Sequence, residues 1–264
     1  MKQETLSFIN FINPDSGLIF NDEEHDKYPL KYYNVINGEG IDVDENKSYY
    51  GFVYLGEAVI KIKDNIQSIL PKDSYFSHHG EFTLCGNFKA VIIEVITSKG
   101  IYLKERFKAM TAIGGVVEDT GRLKYIDGCT DSLLIPPVKK GNPCLNHLHF
   151  PKDIRQTPHT HPSHRVGLVI RGQGKCVTPF GDLPLNEGCI FVIKEYDGLL
   201  KAVGLDGKMY DAGTHKFDTN FSSMDVIAFH PDSDFGPEDE FHPMINRTIV
   251  NGISAKDIDQ IRTK

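Results

Sequence analysis

The chain has no CxxC pair, no lysine- and arginine-rich cluster, and no apolar run near the ~20 residues that a membrane-spanning helix requires. Each absence removes a class of function. The five cysteines (Cys85, Cys129, Cys144, Cys176 and Cys189) are odd in number and scattered. They exclude a disulfide framework and a zinc ribbon, and read as buried thiols of a reducing compartment. A formal net charge of -7 without a basic cluster offers little to a phosphate backbone, so neither nucleic acid nor an anionic membrane is an expected partner. The opening MKQETLSFIN lacks a basic stretch followed by a long apolar one, so no secretory signal is read and the expected location is cytoplasmic. There is no GxSxG, no GxGxxG after a strand and no Walker pattern, which sets aside nucleophilic hydrolysis and nucleotide or flavin binding.

What is present is β structure. At 40% hydrophobic residues, 264 residues suffice for the cores of two small domains. Short β-rich runs broken by Gly, Pro, Asn and Asp take the place of any long helical period, so the predicted fold is all-β. Runs at 50–62, 68–76 and 88–95 are followed by runs of the same order at 168–172, 184–193 and 224–229, which predicts an internal repeat. Glycines, and the prolines of 136–143, lie between them, and the division is placed between an N-terminal domain of 1–125 and a C-terminal domain of 126–264. Ser254, with Asp257 three residues on, predicts a short helix in the tail.

Residues 159–172 read HTHPSHRVGLVIRG. On a strand, side chains two apart face the same side, so His159 and His161 can reach one metal ion on a β scaffold. The β-branched stretch after them closes on Gly172.

This segment resembles the first motif of the cupin superfamily, in which a glycine precedes an HxH pair, a glutamate ligand follows it and a second glycine closes the strand. It is similar to the corresponding strand of germin-type cupins. His159, His161 and Gly172 fall on their positions; Arg165 stands at the glutamate and Asp153 at the first glycine. A guanidinium cannot ligate a cation, so that position has left the metal shell. For the second motif, Gly213 and His215 resemble the turn glycine and the third histidine ligand, with His242 and His230 as alternatives for that ligand.

The resemblance implies two cupin barrels of the double-stranded β-helix, or jelly-roll, type, only the C-terminal one binding metal. It implies a three-histidine site as in thiol dioxygenases, with Fe(II) the first expectation and Zn, Mn, Ni or Cu also compatible. The activity implied is an oxygenase acting on a small, anionic organic substrate with O2, and a homodimer is expected. Arg165 would anchor a substrate carboxylate through its planar fork, or serve as a structural salt bridge. Cupins also include isomerases, lyases and non-catalytic ligand-binding proteins, and these stay open.

Three further groups carry ligand-type side chains. His147 and His149 share the HxH period, but Leu148 and Phe150 on the opposite face suit a barrel interior, which turns the two histidines away from it. His78 and His79 sit in a half with no HxH upstream, so the N-terminal barrel is expected to lack metal. The Asp232/Asp234 pair has too few oxygen ligands at calcium-loop spacing, and its segment reads as a loop over the barrel mouth.

Overall fold

The structure, a computed structural model, describes residues 1–63, 66–139, 141–196, 198–232, 249–250, 253–254 and 258. The chain opens with β1 (Lys2–Glu4) and β2 (Phe8–Phe11). Then come β3 (Gly17–Asp22), β4 (Leu30–Ile36), β5 (Ser48–Ile62), β6 (Ile66–Pro71), β7 (Ser74–His79) and β8 (Phe82–Val95). A single helical turn, α1 (Gly100–Lys104), precedes β9 (Ala112–Gly114), β10 (Leu123–Lys124), β11 (Thr130–Ile135) and β12 (Cys144–Phe150). β13 (Arg165–Thr178), β14 (Gly181–Asn186), β15 (Ile190–Ile193), β16 (Lys201–Val203), β17 (Met209–Asp211), β18 (Lys216–Asp218) and β19 (Met224–His230) follow.

Contacts divide the chain into one unit of Met1–Ser233 and another of Asp234–Lys264. In the latter the described residues form a hairpin of β20 (Ile249–Val250) and β21 (Ile253–Ser254). Ser254 closes that strand; apart from Ile258, the rest of the predicted tail helix falls outside the described residues.

All strand pairs are antiparallel, and the larger unit holds two main sheets. One runs β3-β4-β8-β5-β7-β9, with β6 on β5; the other runs β1-β2-β15-β13-β19-β12-β11-β10, with β14 and β18 on β13. The chain passes from the first sheet to the second between Gly114 and Leu123, while its first eleven residues already belong to the second through the β2–β15 pairing. The prolines of 136–143 therefore connect β11 to β12 within one sheet.

Period-2 alternation assigns each face. Tyr50 and Phe52 of β5 and Val91, Ile93 and Val95 of β8 share one buried cluster with Val166, Leu168 and Ile170 of β13 and Ile227 and Phe229 of β19. This is where the two sheets pack, with the Tyr50 and Phe229 ring centroids 5.0 Å apart and the Tyr32 hydroxyl donating to Gly167 O at 3.1 Å. The opposite faces enclose separate cores: Val53, Phe76 and Ile92 in the first sheet, Val169, Phe191 and Val226 in the second.

The predicted repeat recurs as a local device. β5 has a register shift between Val53 and Leu55 and reaches Gly56 at φ +73; β13 has one between Val169 and Arg171 and reaches Gly172, also at φ +73. A Cβ would lie 2.1 Å from Asn87 O in the first case and 2.0 Å from Ser223 O in the second, so the bent strand presses backbone on backbone and excludes any side chain. Gly172→Ala is expected to cost more than the roughly 1–2 kcal/mol of left-handed backbone alone, because the carbonyl must also move. The urea midpoint of unfolding checks it.

The histidines at 147 and 149 lie, as their alternation predicts, on the face opposite Leu148 and Phe150. That face is buried against the rest of the unit rather than solvated. Both rings meet one Asp225 oxygen, at 2.8 and 3.0 Å. Burial pushes the Asp225 carboxyl up, but the hydrogen bonds from His147 and His149 outweigh it and hold the group below its ordinary range. His78 Nδ1 contacts Thr111 Oγ1 and His79 Nδ1 contacts Ser48 Oγ, and neither joins a metal-ligand cluster among the described residues. The five cysteines are free thiols, four of them buried.

Candidate metal centre

The HxH pair sits just ahead of β13, in extended chain rather than inside a regular strand. It is held there by one antiparallel bridge: His159 N–H donates to His215 O at 3.0 Å, and His215 N–H donates to His159 O at 3.1 Å. Residues directly opposite in such a bridge bring their side chains within about 4.5–5.5 Å, which joins His215 to the pair. The bridge continues through Arg155 and Asp218. Asp153, at the motif's glycine position, has φ +62, the conformation a glycine would supply there.

The ligand atoms of His159, His161 and His215 all lie within 4.8 Å of one another. Two of the rings have fixed tautomers. His159 Nδ1 donates to Thr157 O at 2.9 Å and His215 Nδ1 to Gly213 O at 3.0 Å, so each Nε2 keeps its lone pair. His215 Nε2 is buried without a hydrogen-bond partner. Leaving such an atom unsatisfied costs about 1–3 kcal/mol, and a metal ion relieves that cost. The donor set therefore fits a borderline divalent cation.

Burial, followed by the charge of His159, depresses the His215 pKa to about 3; burial and then Arg165 hold His161 well below the ordinary value. These two rings are thus neutral and ready for metal at pH 7. In the unfolded chain the same imidazoles take a proton near 6.5, so the folded state binds fewer protons below that value. Stability of the metal-free protein should fall as pH drops from about 6.5 toward 3, and His215→Gln should flatten that slope in urea titrations.

His230, at the end of β19, faces the same cavity because it shares parity with Val226 and Ala228. Its ring centroid lies 6.4 Å from that of His161, and it is not one of the three clustered ligands. The other alternative, His242, lies outside the described residues.

Arg165, on the face of β13 shared with Val169, reaches the same cavity and is 1% exposed. Its Nη1 donates to Asp232 Oδ1 at 2.5 Å and also to Ser163 Oγ; Ser163 Oγ donates to the same Asp232 oxygen at 2.7 Å. Sequence reasoning placed Asp232 in a loop over the barrel mouth without naming its partner; no local signal links positions 165 and 232.

Phe150, Phe191 and Phe217 wall the cavity, and the volume left free at its centre is about 20 Å³, room for about one water-sized ligand. A larger cavity, about 620 Å³, opens in the first sheet between Val43, Lys61 and Phe82, away from the histidines.

No protein-family model matches the chain, and no curated protein matches it by sequence. Solved structures do. A putative glyoxylate-induced protein from Pseudomonas aeruginosa superposes with a TM-score of 0.60 at 8% identity, covering 92% of this chain and 95% of its own. A cupin 2 conserved barrel domain protein from Leptotrichia buccalis gives 0.50 at 14% identity, covering 87% and 91%. A variant of salicylate 1,2-dioxygenase from Pseudoaminobacter salicylatoxidans, in complex with gentisate, gives 0.54 at 8% identity, covering 88% and 84%.

Proposed function

We propose that this chain, which has the cupin fold of its structural neighbours, is a metal-dependent oxygenase that uses Fe(II) and O2 on a small, anionic organic substrate. The observation that carries the reading is the convergence of His159, His161 and His215, with the His215 Nε2 buried and unpartnered. Three neutral imidazoles bring no negative charge, so a bound divalent ion keeps its full 2+ to attract an anion, and iron in such a site activates oxygen.

The chain's own residues divide the remaining work. Thr157 O and Gly213 O orient two of the ligand rings, and the phenylalanine walls exclude water. Arg165 orients an anionic group beside the imidazoles, which requires the incoming carboxylate to exchange with Asp232. The proposal includes the division at 125/126, with the first strands lent to the second half, an N-terminal half without a three-histidine centre, and a cytoplasmic homodimer.

The narrow cavity favours a second reading, a non-catalytic site for a very small ligand. Oxygen consumption separates the two. Chain loaded with Fe(II) under anaerobic conditions is offered hydroxybenzoates and short aliphatic carboxylates in an oxygen electrode. Substrate-dependent uptake that disappears in His161→Ala supports the oxygenase. Stoichiometric iron with no uptake across the panel sinks it.

A further inference from the structure

A second group of metal-ligand side chains lies outside the three-histidine centre. Asp22 closes β3, His25 follows it, His164 immediately precedes β13, and Glu195 lies two residues beyond β15. The ligand atoms of Asp22, His25 and His164 all lie within 4.8 Å of one another. His25 Nε2 meets Glu195 Oε2 at 2.6 Å, and the same oxygen is 3.9 Å from His164 Nδ1.

The hydrogen-bond pattern separates ligands from supports. His25 Nδ1 accepts backbone N–H groups from Lys27 and Tyr28, each at 3.0 Å, so its proton sits on Nε2 and is donated to Glu195. A nitrogen carrying that proton cannot bind a cation. His25 therefore holds the carboxylate in place. His164 Nδ1 and Asp22 Oδ2 behave differently: they approach to 3.1 Å, yet both are buried atoms that lack a hydrogen-bond partner. Donor and acceptor this close without hydrogen-bond alignment are aimed past each other, as two ligands of a common ion are.

The spacing agrees with such an ion. Zn–N of about 2.0–2.1 Å and Zn–O of about 2.0–2.2 Å, arranged tetrahedrally, put ligand atoms roughly 3.3–3.5 Å apart. The 3.1 Å between His164 Nδ1 and Asp22 Oδ2 is close to that spacing, and the 3.9 Å from His164 Nδ1 to Glu195 Oε2 is longer than it by about half an ångström, which rotation of the Glu195 carboxylate would close.

We propose a second divalent-cation site, of the borderline class that zinc represents, formed by Asp22, His164 and Glu195 with His25 as the residue that positions Glu195. The ligands come from both main sheets' neighbourhoods, and two of them are next in sequence to residues that touch the three-histidine cavity or its backbone. Arg165 follows His164, and Tyr196, which follows Glu195, donates its N–H to His161 O at 2.8 Å. An ion here tethers the end of β3 to the segments that shape the three-histidine cavity.

Zinc counting tests it independently of the proposed activity. The full chain is loaded with Zn²⁺, passed through gel filtration and measured for zinc per chain by native mass spectrometry. Two ions are expected in the wild type, one in His159→Ala/His161→Ala, and none when His164→Ala is added. Asp22→Asn/Glu195→Gln in the same background, nearly isosteric, should also remove the last ion and serves if His164→Ala fails to fold. No zinc in the His159→Ala/His161→Ala protein overturns the site, as does zinc that survives both further changes. One ion in the wild type that is kept without His159 and His161 but lost without His164 would instead leave this site standing and remove the first.

Discussion

Alanine at His159, His161 or His215 is expected to strip the first centre of its metal. On the proposed assignment each imidazole would supply one of three protein ligands, and among the described residues no carboxylate clusters with them. Removal of an outer hydrogen-bond partner of a ligand typically weakens metal binding by about 10- to 100-fold, so loss of the ligand itself should exceed that. His230→Ala, whose ring faces the same cavity from outside the cluster, should retain the ion. Metal affinity of the four variants, by calorimetry or competition with a chromophoric chelator, checks the assignment. If His230→Ala proves the damaging change and His215→Ala keeps its metal, the third ligand is wrong.

The second large effect concerns stability. Arg165 and Asp232 form an ion pair whose side chains are 1% and 12% exposed, with Ser163 joined to both. Removing one partner leaves a buried charge without compensation, which typically costs about 3–5 kcal/mol, whereas removing both can be nearly neutral. Arg165→Leu and Asp232→Asn should each lower stability by that order, and the double variant should recover a large part of the loss. Urea denaturation of the four proteins closes the cycle. Additive losses would show that the two charges do not depend on each other. The same cycle decides Arg165's role: a double variant that folds and keeps metal yet binds no carboxylate assigns it to substrate, and one that binds normally assigns it to structure.

Several features were legible before any coordinates. The HTH spacing, the glycine seven residues beyond Arg165 and the β-rich runs are local patterns, and local patterns follow from the two-residue period of extended chain and the left-handed backbone that glycine permits. Gly172 and Asp153, at the two glycine positions of the resembled motif, both adopt the positive φ that glycine favours. The alternation of β12 was equally readable, so Leu148 and Phe150 fall in the interior and His147 and His149 on the other face.

Other features depend on which distant segments meet. The meeting of His215 with the histidine pair rests on the bridge to His159, a pairing across 56 positions that no local spacing announces. The Asp232 partner of Arg165 is 67 positions away, and His147 and His149 share Asp225 only because β12 lies against β19 in that register. The Asp22, His25, His164 and Glu195 group draws from three separated stretches and has no signature of its own. The cavity's narrowness is likewise a packing result, set by phenylalanine rings from three strands.

By itself, then, the sequence determined an all-β chain with a histidine pair ahead of a glycine-closed strand and an arginine between them, because those are matters of residue type and short-range backbone geometry. Tertiary structure alone decided that His215 meets the histidine pair, that Asp232 neutralises Arg165 and how large the pocket is. Those depend on long-range strand pairing, where a shift of one residue would turn every side chain to the opposite face.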